Sequence, residues 1–512
     1  MTAWQRSLSA GLLLAAAFPP FPPYLAILTL PGLWLLIRIA EESDSARHAL
    51  AMVYPGLLVW NIATTYWLAM ATVGGGVAAI LANAAVMSIP FGLYRLWWTA
   101  GRHPLRNASV FAALWLLFEW GHHKWDLAWP WLTLGNAFSN ATPVIQYVEF
   151  TGVLGVSAWI VFGTFTLAWA YGKRDWRLSA PVLIPPALSL LLWAMWTDTP
   201  VGRLNTLIVQ PNFDSYQRMS GFRTEADALD SLLSVIRPEL DDAVDLVLMP
   251  ENSLEGWVFP DPQRFPNPDL LSEASRHDVS IVGGGTYFKS WGSDERAPHP
   301  HRTTGSGQPY GMYNAGMAWY PDGGTQVYGK RRLVPLVERL PFAGFLSRAI
   351  PWDGWLDWLG FEKGRESAVM RTLPHTISAL VCYDSVFPDW VRRNVKDGAA
   401  VIGIITNDGW WGDTGGHEQH FAYARLRAVE TRRSVARSAN NGISGVILPD
   451  GTVHIRTAYW TQTVLRASVP VYDTMTLYTR FGDWIVWLVA AIGLGAAWLQ
   501  PRIDTTMFKR KS

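Results

Sequence analysis

The chain has 512 residues, 50% of them hydrophobic and 16% charged, with 29 tryptophans and one cysteine. Soluble domains carry about 25% charged residues, so this composition excludes a disordered chain and points to segments dissolved in lipid. The 42 basic and 41 acidic residues nearly cancel, which argues against nucleic acid as a partner, and a lone Cys382 excludes an internal disulfide.

Residues 1–198 read as a membrane domain in which long apolar runs alternate with short polar connections. Seven runs are candidate spans, several of them approaching the ~20 residues that cross a hydrocarbon core as a helix and the fifth short. They extend from Ser9 to Tyr24, Leu25 to Ala40, Ala51 to Ala71, Gly76 to Trp97, Val110 to Trp120, Val153 to Ala170 and Pro181 to Trp196. The first is read as a span and not a cleaved signal, because no small-residue cleavage site is followed by a soluble stretch. Cations mark alternate connections: Arg38 and Arg47; Arg95, Arg102 and Arg106; Lys173, Arg174 and Arg177. Such loops stay inside, so the N-terminus is expected in the cytoplasm and the segment after the seventh run outside. Trp97, Trp98, Trp120, Trp125, Trp129 and Trp131 lie near helix ends and are expected to form an interfacial belt, and His122 and His123 to be structural. Glu119 is costly in lipid unless paired, which makes it a functional candidate; the plainer reading is a helix end facing water.

Residues 199–471 change to the pattern of a soluble α/β domain. Strands are predicted over Leu204 to Gln210, Val244 to Met249, Val279 to Gly283, Ile377 to Cys382 and Val401 to Thr406, and helices over Glu225 to Ile236 and His420 to Arg432. Gly283, Gly284 and Gly285 lack the further glycine and helix start of a dinucleotide fingerprint and read as a close-packed turn. A zincin helix needs histidines at i and i+4, and Phe421 stands four residues after His417, so no metal and no cofactor are expected. The Trp-rich stretch Trp352 to Trp358 reads equally as core and as an arm dipping into the membrane. Residues 472–512 hold an eighth apolar run, Trp484 to Leu499, and the basic tail Arg502, Lys509, Arg510 and Lys511, which places the C-terminus in the cytoplasm.

Three segments of the α/β part put a reactive residue beside an apolar run: Pro250-Glu251-Asn252-Ser253, Lys330-Arg331-Arg332-Leu333-Val334-Pro335 and Val381-Cys382-Tyr383-Asp384. A carboxylate, an ammonium and a thiol at strand ends can form a nucleophilic set, with Glu251 as base, Lys330 steadying an oxyanion and Cys382 attacking a carbonyl. Each alone has a blander reading: a buried cysteine as a small hydrophobe, Pro-Glu and Gly-Lys as turns with solvated charges.

Their order resembles the nitrilase superfamily of carbon-nitrogen hydrolases. The whole chain resembles its membrane-embedded branch, the bacterial apolipoprotein N-acyltransferases. That likeness rests further on Tyr313-Asn314, Asn407-Asp408-Gly409-Trp410-Trp411-Gly412, Gln419-His420-Phe421, Arg437-Ser438, Asn440-Asn441-Gly442, Trp129-Pro130-Trp131 and Arg480-Phe481-Gly482-Asp483-Trp484. It implies about eight membrane helices with an αββα sandwich domain between the seventh and eighth, on the periplasmic side of a bacterial inner membrane. It also implies Glu251, Lys330 and Cys382 as the catalytic set, supported by Glu338, Tyr383 and Asp384. The family often has Glu where this chain has Asp384, one methylene shorter. The implied reaction moves an acyl chain from a phospholipid donor to Cys382 as a thioester, then to the α-amine of a diacylglyceryl apolipoprotein, by a monomeric enzyme. The alternative keeps the set and hydrolyses a small amide, for which one membrane tether would suffice. A transporter would need charges inside the spans, and these runs are almost uncharged.

Overall fold

The computed structural model describes residues 1–254, 267–292, 295–350, 354 and 359–498. Trp352 to Trp358, apart from Gly354, and the basic tail lie outside the described residues.

The N-terminal part is helical: α1 (Ala3–Ala16), α2 (Thr29–Glu42), α3 (Ala46–Thr65), α4 (Val73–Trp97), α5 (Pro104–His122), α6 (Val153–Lys173) and α7 (Ala180–Ala194). Starts follow local chemistry. Ser45 accepts from the His48 N–H ahead of α3, and Pro104 opens α5, where its missing N–H costs nothing. Among the described residues, four segments are long and apolar enough to cross a membrane: Pro23–Glu42, Val73–Trp97, Val153–Lys173 and Trp176–Ala194. The sequence predicts eight. Of the remainder, α1 is 14 residues long, α3 contains Arg47, His48 and Pro55, and α5 contains Arg106 and Glu119. Small residues let α1 and α3 touch backbone to backbone: a Cβ on Gly56 would stand 2.3 Å from the Ser7 carbonyl oxygen.

The α/β part contains two facing sheets. The first takes β1 (Gly202–Gln210), β2 (Leu246–Leu248), β3 (Ser280–Ser290), β4 (Arg302–Thr303), β5 (Pro309–Trp319), β6 (Thr325–Gly329) and β14 (Thr463–Val471). Its order is β14-β1-β2-β3-β5-β4, with β6 also on β5. After a short pair, β7 (Val369–Met370) and β8 (Ile377–Ser378), the second sheet takes β9 (Leu380–Val381), β10 (Ile402–Thr406), β11 (Val435–Ala439), β12 (Gly445–Ile447) and β13 (Val453–Arg456), in the order β13-β12-β11-β10-β9. β1, β2 and β3 run parallel, as do β9, β10 and β11. The alternation of β1 is legible in the burial: Leu207 and Val209 pack outward under α8 (Glu225–Ile236), while Leu204 and Ile208 pack inward into the core shared with the second sheet. Helices α9 (Pro268–Arg276), α10 (Pro388–Lys396) and α11 (Gly415–Thr431) complete the outer layers.

Predicted helix Glu225 to Ile236 is met to the residue, opened by a Thr224–Asp227 capping box of about 1 kcal/mol. The glycine run is not a turn. It lies inside β3, where a Cβ on Gly284 would come within 2.8 Å of the Glu251 Cα, so close packing and not chain reversal requires glycine.

One apolar core runs from the helical bundle into the second sheet, whereas the outer face of the first sheet has a separate core. The seam is α11. Gln419 donates to the carbonyls of Pro19 at 2.8 Å and Thr64 at 3.0 Å, and accepts from the indoles of Trp131 at 2.7 Å and Trp67 at 3.2 Å. Tyr423 donates to the Trp131 carbonyl, Glu430 accepts from the Val153 N–H, and Arg432 pairs with Glu149. Trp131 is 1% exposed and therefore no belt residue; a polar partner for its N–H drew it inside. His122 and His123 are buried on Asn83 and Thr133, the structural role expected of them. Glu119 is buried and accepts from the Trp115 indole and the Leu134 N–H, so it anchors the loop after α5 instead of facing water. Finally α12 (Trp484–Trp498) packs against α5, where a Cβ on Gly493 would stand 2.3 Å from that of Ala113.

Candidate active site

Glu251, Lys330 and Cys382 come from three strand ends and meet between the sheets. Pro250 cannot continue the β2 ladder, and its carbonyl takes the Gly284 N–H at 3.0 Å, which turns Glu251 inward. Lys330 follows β6, with its N–H on the Asn314 carbonyl and its own carbonyl on the Gly364 N–H. Cys382 follows β9 with φ +46°, a left-handed conformation that costs a non-glycine residue roughly 1–2 kcal/mol and turns the chain sharply into a short helical turn. Ser385 stabilises this elbow by donating to the Cys382 carbonyl at 2.7 Å.

Lys330 is buried between two carboxylates, its Nζ 2.7 Å from Glu338 Oε1 and 3.4 Å from Glu251 Oε1. The Asn314 amide donates to both carboxylates, at 2.7 Å to Glu251 and 2.9 Å to Glu338. The other oxygen of Glu251 accepts from the Asn407 N–H at 3.0 Å, and that of Glu338 from the Val334 N–H at 2.7 Å. Burial pushes the Glu251 carboxyl up, and the charge of Glu338 adds to this against the pull of Lys330. Burial opposes the charge on Lys330, but Glu251, Glu338 and Cys382 together hold its ammonium well above the ordinary range. The Cys382 thiol is pushed well up by burial and by Glu251, with Lys330 acting the other way. The thiol thus sits protonated beside the Glu251 carboxyl and a fixed ammonium, an arrangement suited to attack in concert with proton removal.

Tyr383 and Asp384 do not join this group. Tyr383 donates to the Ala128 carbonyl at 2.9 Å and lies against Trp129, tying the elbow to the loop after α5. Asp384 accepts from the Tyr328 hydroxyl and the Arg332 N–H, both at 2.7 Å, and burial pushes its carboxyl up to about 6 against Lys330 and these donors. It links the nucleophile turn to the segment that carries Lys330.

Beneath Cys382 lies a set that the reading of single residues passed over. His420 Nδ1 lies 3.0 Å from Asp408, His420 Nε2 lies 2.9 Å from Ser385, and Arg437 reaches Asp408 at 2.6 Å. Burial works against the Asp408 charge, yet Arg437 and His420 hold it well below the usual carboxylate range. The ligand atoms of Cys382, Asp408 and His420 fall within 4.8 Å of one another. Asp408 and His420 are already committed to Arg437, Thr406 and Ser385, so the set reads as a brace for the elbow. Asn314 and Asn407 were also unassigned; each sits in a motif of the resemblance, the only signal that marked them.

An apolar cavity of about 160 Å³ opens beside the site, lined by Gly76, Ala79 and Asn83 of α4, by Trp125 and Trp129, and by Val334–Val337. The last of these residues precedes Glu338.

Residues 10–166 match the family model described as the apolipoprotein N-acyltransferase N-terminal domain, and residues 209–476 match the carbon-nitrogen hydrolase model. The chain is 28% identical to an apolipoprotein N-acyltransferase of Chlorobaculum tepidum over 525 aligned positions, covering 96% of this chain and 94% of that one. It is 27% identical to the one of Vibrio parahaemolyticus, covering 97% and 98%. Among solved structures, a CN-hydrolase superfamily protein of Xanthomonas campestris aligns with TM-score 0.36 and 20% identity, over 52% of this chain and 90% of that one. A nitrilase-superfamily member of Saccharomyces cerevisiae gives 0.38 and 16%, over 54% and 92%.

Proposed function

The chain belongs to the carbon-nitrogen hydrolase family, and from that premise we propose that it is a bacterial membrane N-acyltransferase that acylates the N-terminus of apolipoproteins. The observation that carries the choice of lipid over a small amide is the apolar cavity. One wall is a bundle helix and the other is the loop leading to Glu338, so an acyl chain lying among the helices would bring its ester to the site.

In the first half-reaction Glu251 accepts the Cys382 proton as sulfur attacks the phospholipid ester carbonyl. Lys330 faces the negative charge that develops on the carbonyl oxygen. Glu338 and Asn314 hold Lys330 and Glu251 at fixed separation. The tetrahedral species expels a lysophospholipid, whose oxygen regains the proton from Glu251, and leaves a thioester. In the second half-reaction the α-amine of a diacylglyceryl cysteine attacks the thioester, Glu251 takes the amine proton, and Cys382 leaves, its sulfur regaining that proton from Glu251. The two substrates use one site in turn. Exclusion of water by the apolar surroundings favours transfer over hydrolysis.

The domains divide at 1–198, 199–471 and 472–512. The helices make eight crossings, the shorter ones spanning with their flanking turns, which keeps both termini in the cytoplasm and the catalytic domain in the periplasm. The enzyme works as a monomer and needs no cofactor.

The test is intact-mass analysis of purified protein incubated with phospholipid. An added acyl mass is expected on wild type and none on Cys382→Ala. A diacylglyceryl peptide should then discharge the adduct onto its amine. The same adduct on Cys382→Ala would overturn the acyl-enzyme, and discharge only to free fatty acid would favour the amidase-like alternative.

A further inference from the structure

A second cavity, of about 340 Å³, lies at the opposite end of the helix bundle. The directions of three helices fix this. The N-terminal end of α4 lines the cavity beside Val334–Val337, the C-terminal end of α5 holds His122 there, and the first N–H of α6 is bonded to Glu430. Their other ends, at Trp98, Pro104 and Lys173, converge on the second cavity. On α4 the lining of the first cavity reaches Val86 and that of the second begins at Trp98, so about 18 Å of helix separates them.

This cavity is basic and walled by aromatics. Arg38 is neutralised by Glu41 at 2.8 Å and Glu42 at 2.7 Å. Arg102 stacks 4.0 Å over the Trp97 ring and donates to the Trp97 carbonyl at 2.6 Å, which leaves other guanidinium N–H groups unused. Lys173 stands exposed in the last turn of α6. Among the described residues neither Arg102 nor Lys173 forms an ion pair, so the lining carries an excess of two positive charges. Asn107 is 8% exposed, and its side-chain oxygen has no hydrogen-bond partner. A buried amide oxygen without a donor is costly and calls for a ligand that brings one.

We propose that this cavity holds the headgroup of an anionic glycerophospholipid from the leaflet remote from Cys382, as a bound and not a reacting lipid. Arg102 and Lys173 take the phosphate, Asn107 accepts from a headgroup hydroxyl, and Trp34, Trp98 and Trp169 flank the glycerol region. Basic pockets between membrane helices on the cytoplasmic side are suited to such headgroups. The inference rests on the reading of these helices as membrane spans.

Native mass spectrometry of the full chain in detergent tests it, using Cys382→Ala so that no lipid reacts. Phosphatidylglycerol should be retained one per chain in preference to phosphatidylcholine. Arg102→Gln with Lys173→Gln should weaken that retention at least about tenfold. Lys173→Glu alone, at an exposed position the bundle does not need, should weaken it in the same direction. In the wild-type background both variants should still acquire the acyl adduct on Cys382. Equal retention of the two lipids, or undiminished retention in the variants, overturns the site. Displacement of the lipid by millimolar inorganic phosphate would mean that only an anion is recognised and overturns the lipid assignment. Loss of the adduct with lipid selectivity intact would count against the acyl-transfer reading and leave this site standing.

Discussion

The two sheets contribute to the site in different ways. The first supplies the acid-base side, Glu251 and Lys330 at the ends of β2 and β6, with Asn314 on β5 between two carboxylates. Its outer face packs on its own core, away from the bundle. The second supplies Cys382, braced by Asp408, His420 and Arg437, and its core is continuous with the membrane helices through α11. The difference teaches that Glu251 and Lys330, the proposed base and ammonium, are positioned by the α/β domain itself, while Cys382, the proposed nucleophile, is positioned by the contact between that domain and the bundle.

Three substitutions probe that division. The largest effect is expected from Glu251→Gln, which keeps the shape and removes the base: acyl-adduct formation should slow by about 10²–10⁴-fold with the melting temperature little changed. The pH profile should change as well. The folded pKa of Glu251 is raised, so the basic form is lost as pH falls through a value above the ordinary carboxylate range. Wild type should show an acid limb there, and Glu251→Gln should not; a retained limb would assign it to another group.

Gln419→Leu attacks the other side. It removes four hydrogen bonds that cross the seam and leaves two carbonyls and two indoles without that partner. At roughly 1 kcal/mol each, the loss is about 3–4 kcal/mol, read as a lower melting midpoint in detergent. Adduct formation should fall with it, while the acid limb stays where it is. Unchanged adduct formation would break the link between docking and nucleophile. The smallest effect is expected from Glu338→Gln, about tenfold in rate, because Lys330 keeps Glu251 and the Val334 N–H keeps an acceptor. A loss as large as that of Glu251→Gln would make Glu338 a direct participant.

The sequence made the proposed reacting residues easier to mark than the parts that hold them. Cys382 is the only thiol, and Glu251 and Lys330 each follow an apolar strand, so their order along the chain was informative. Gln419 carries less: it stands in the motif Gln419-His420-Phe421, but a glutamine in a helix rich in polar residues looks solvated until Pro19, Thr64, Trp67 and Trp131 are seen around it. Trp131 misled for the same reason, since a tryptophan near a helix end suits a lipid interface as well as a buried seam. β5 was missed because Gly311, Ala315 and Gly316 break the alternation that marks a strand, although a Cβ on Gly316 would stand 3.0 Å from that of Ala379, just before β9. Boundaries of apolar runs were soft wherever prolines clustered, as between α1 and α2.

The packing of α12 against α5 sets an order of events during synthesis. Residues 104–122 leave the ribosome more than 360 residues before residues 484–498, yet Arg106 donates to the carbonyl of Ala496 and Gly493 lies against Ala113. Through all that time one flank of α5 lacks its later neighbour. The α/β domain, which follows α7, is made and can begin folding before α12 arrives. Among the described residues α12 is therefore the last helix to join the bundle, and a ribosome stalled inside the α/β domain would leave α5 unclasped, a natural substrate for quality control.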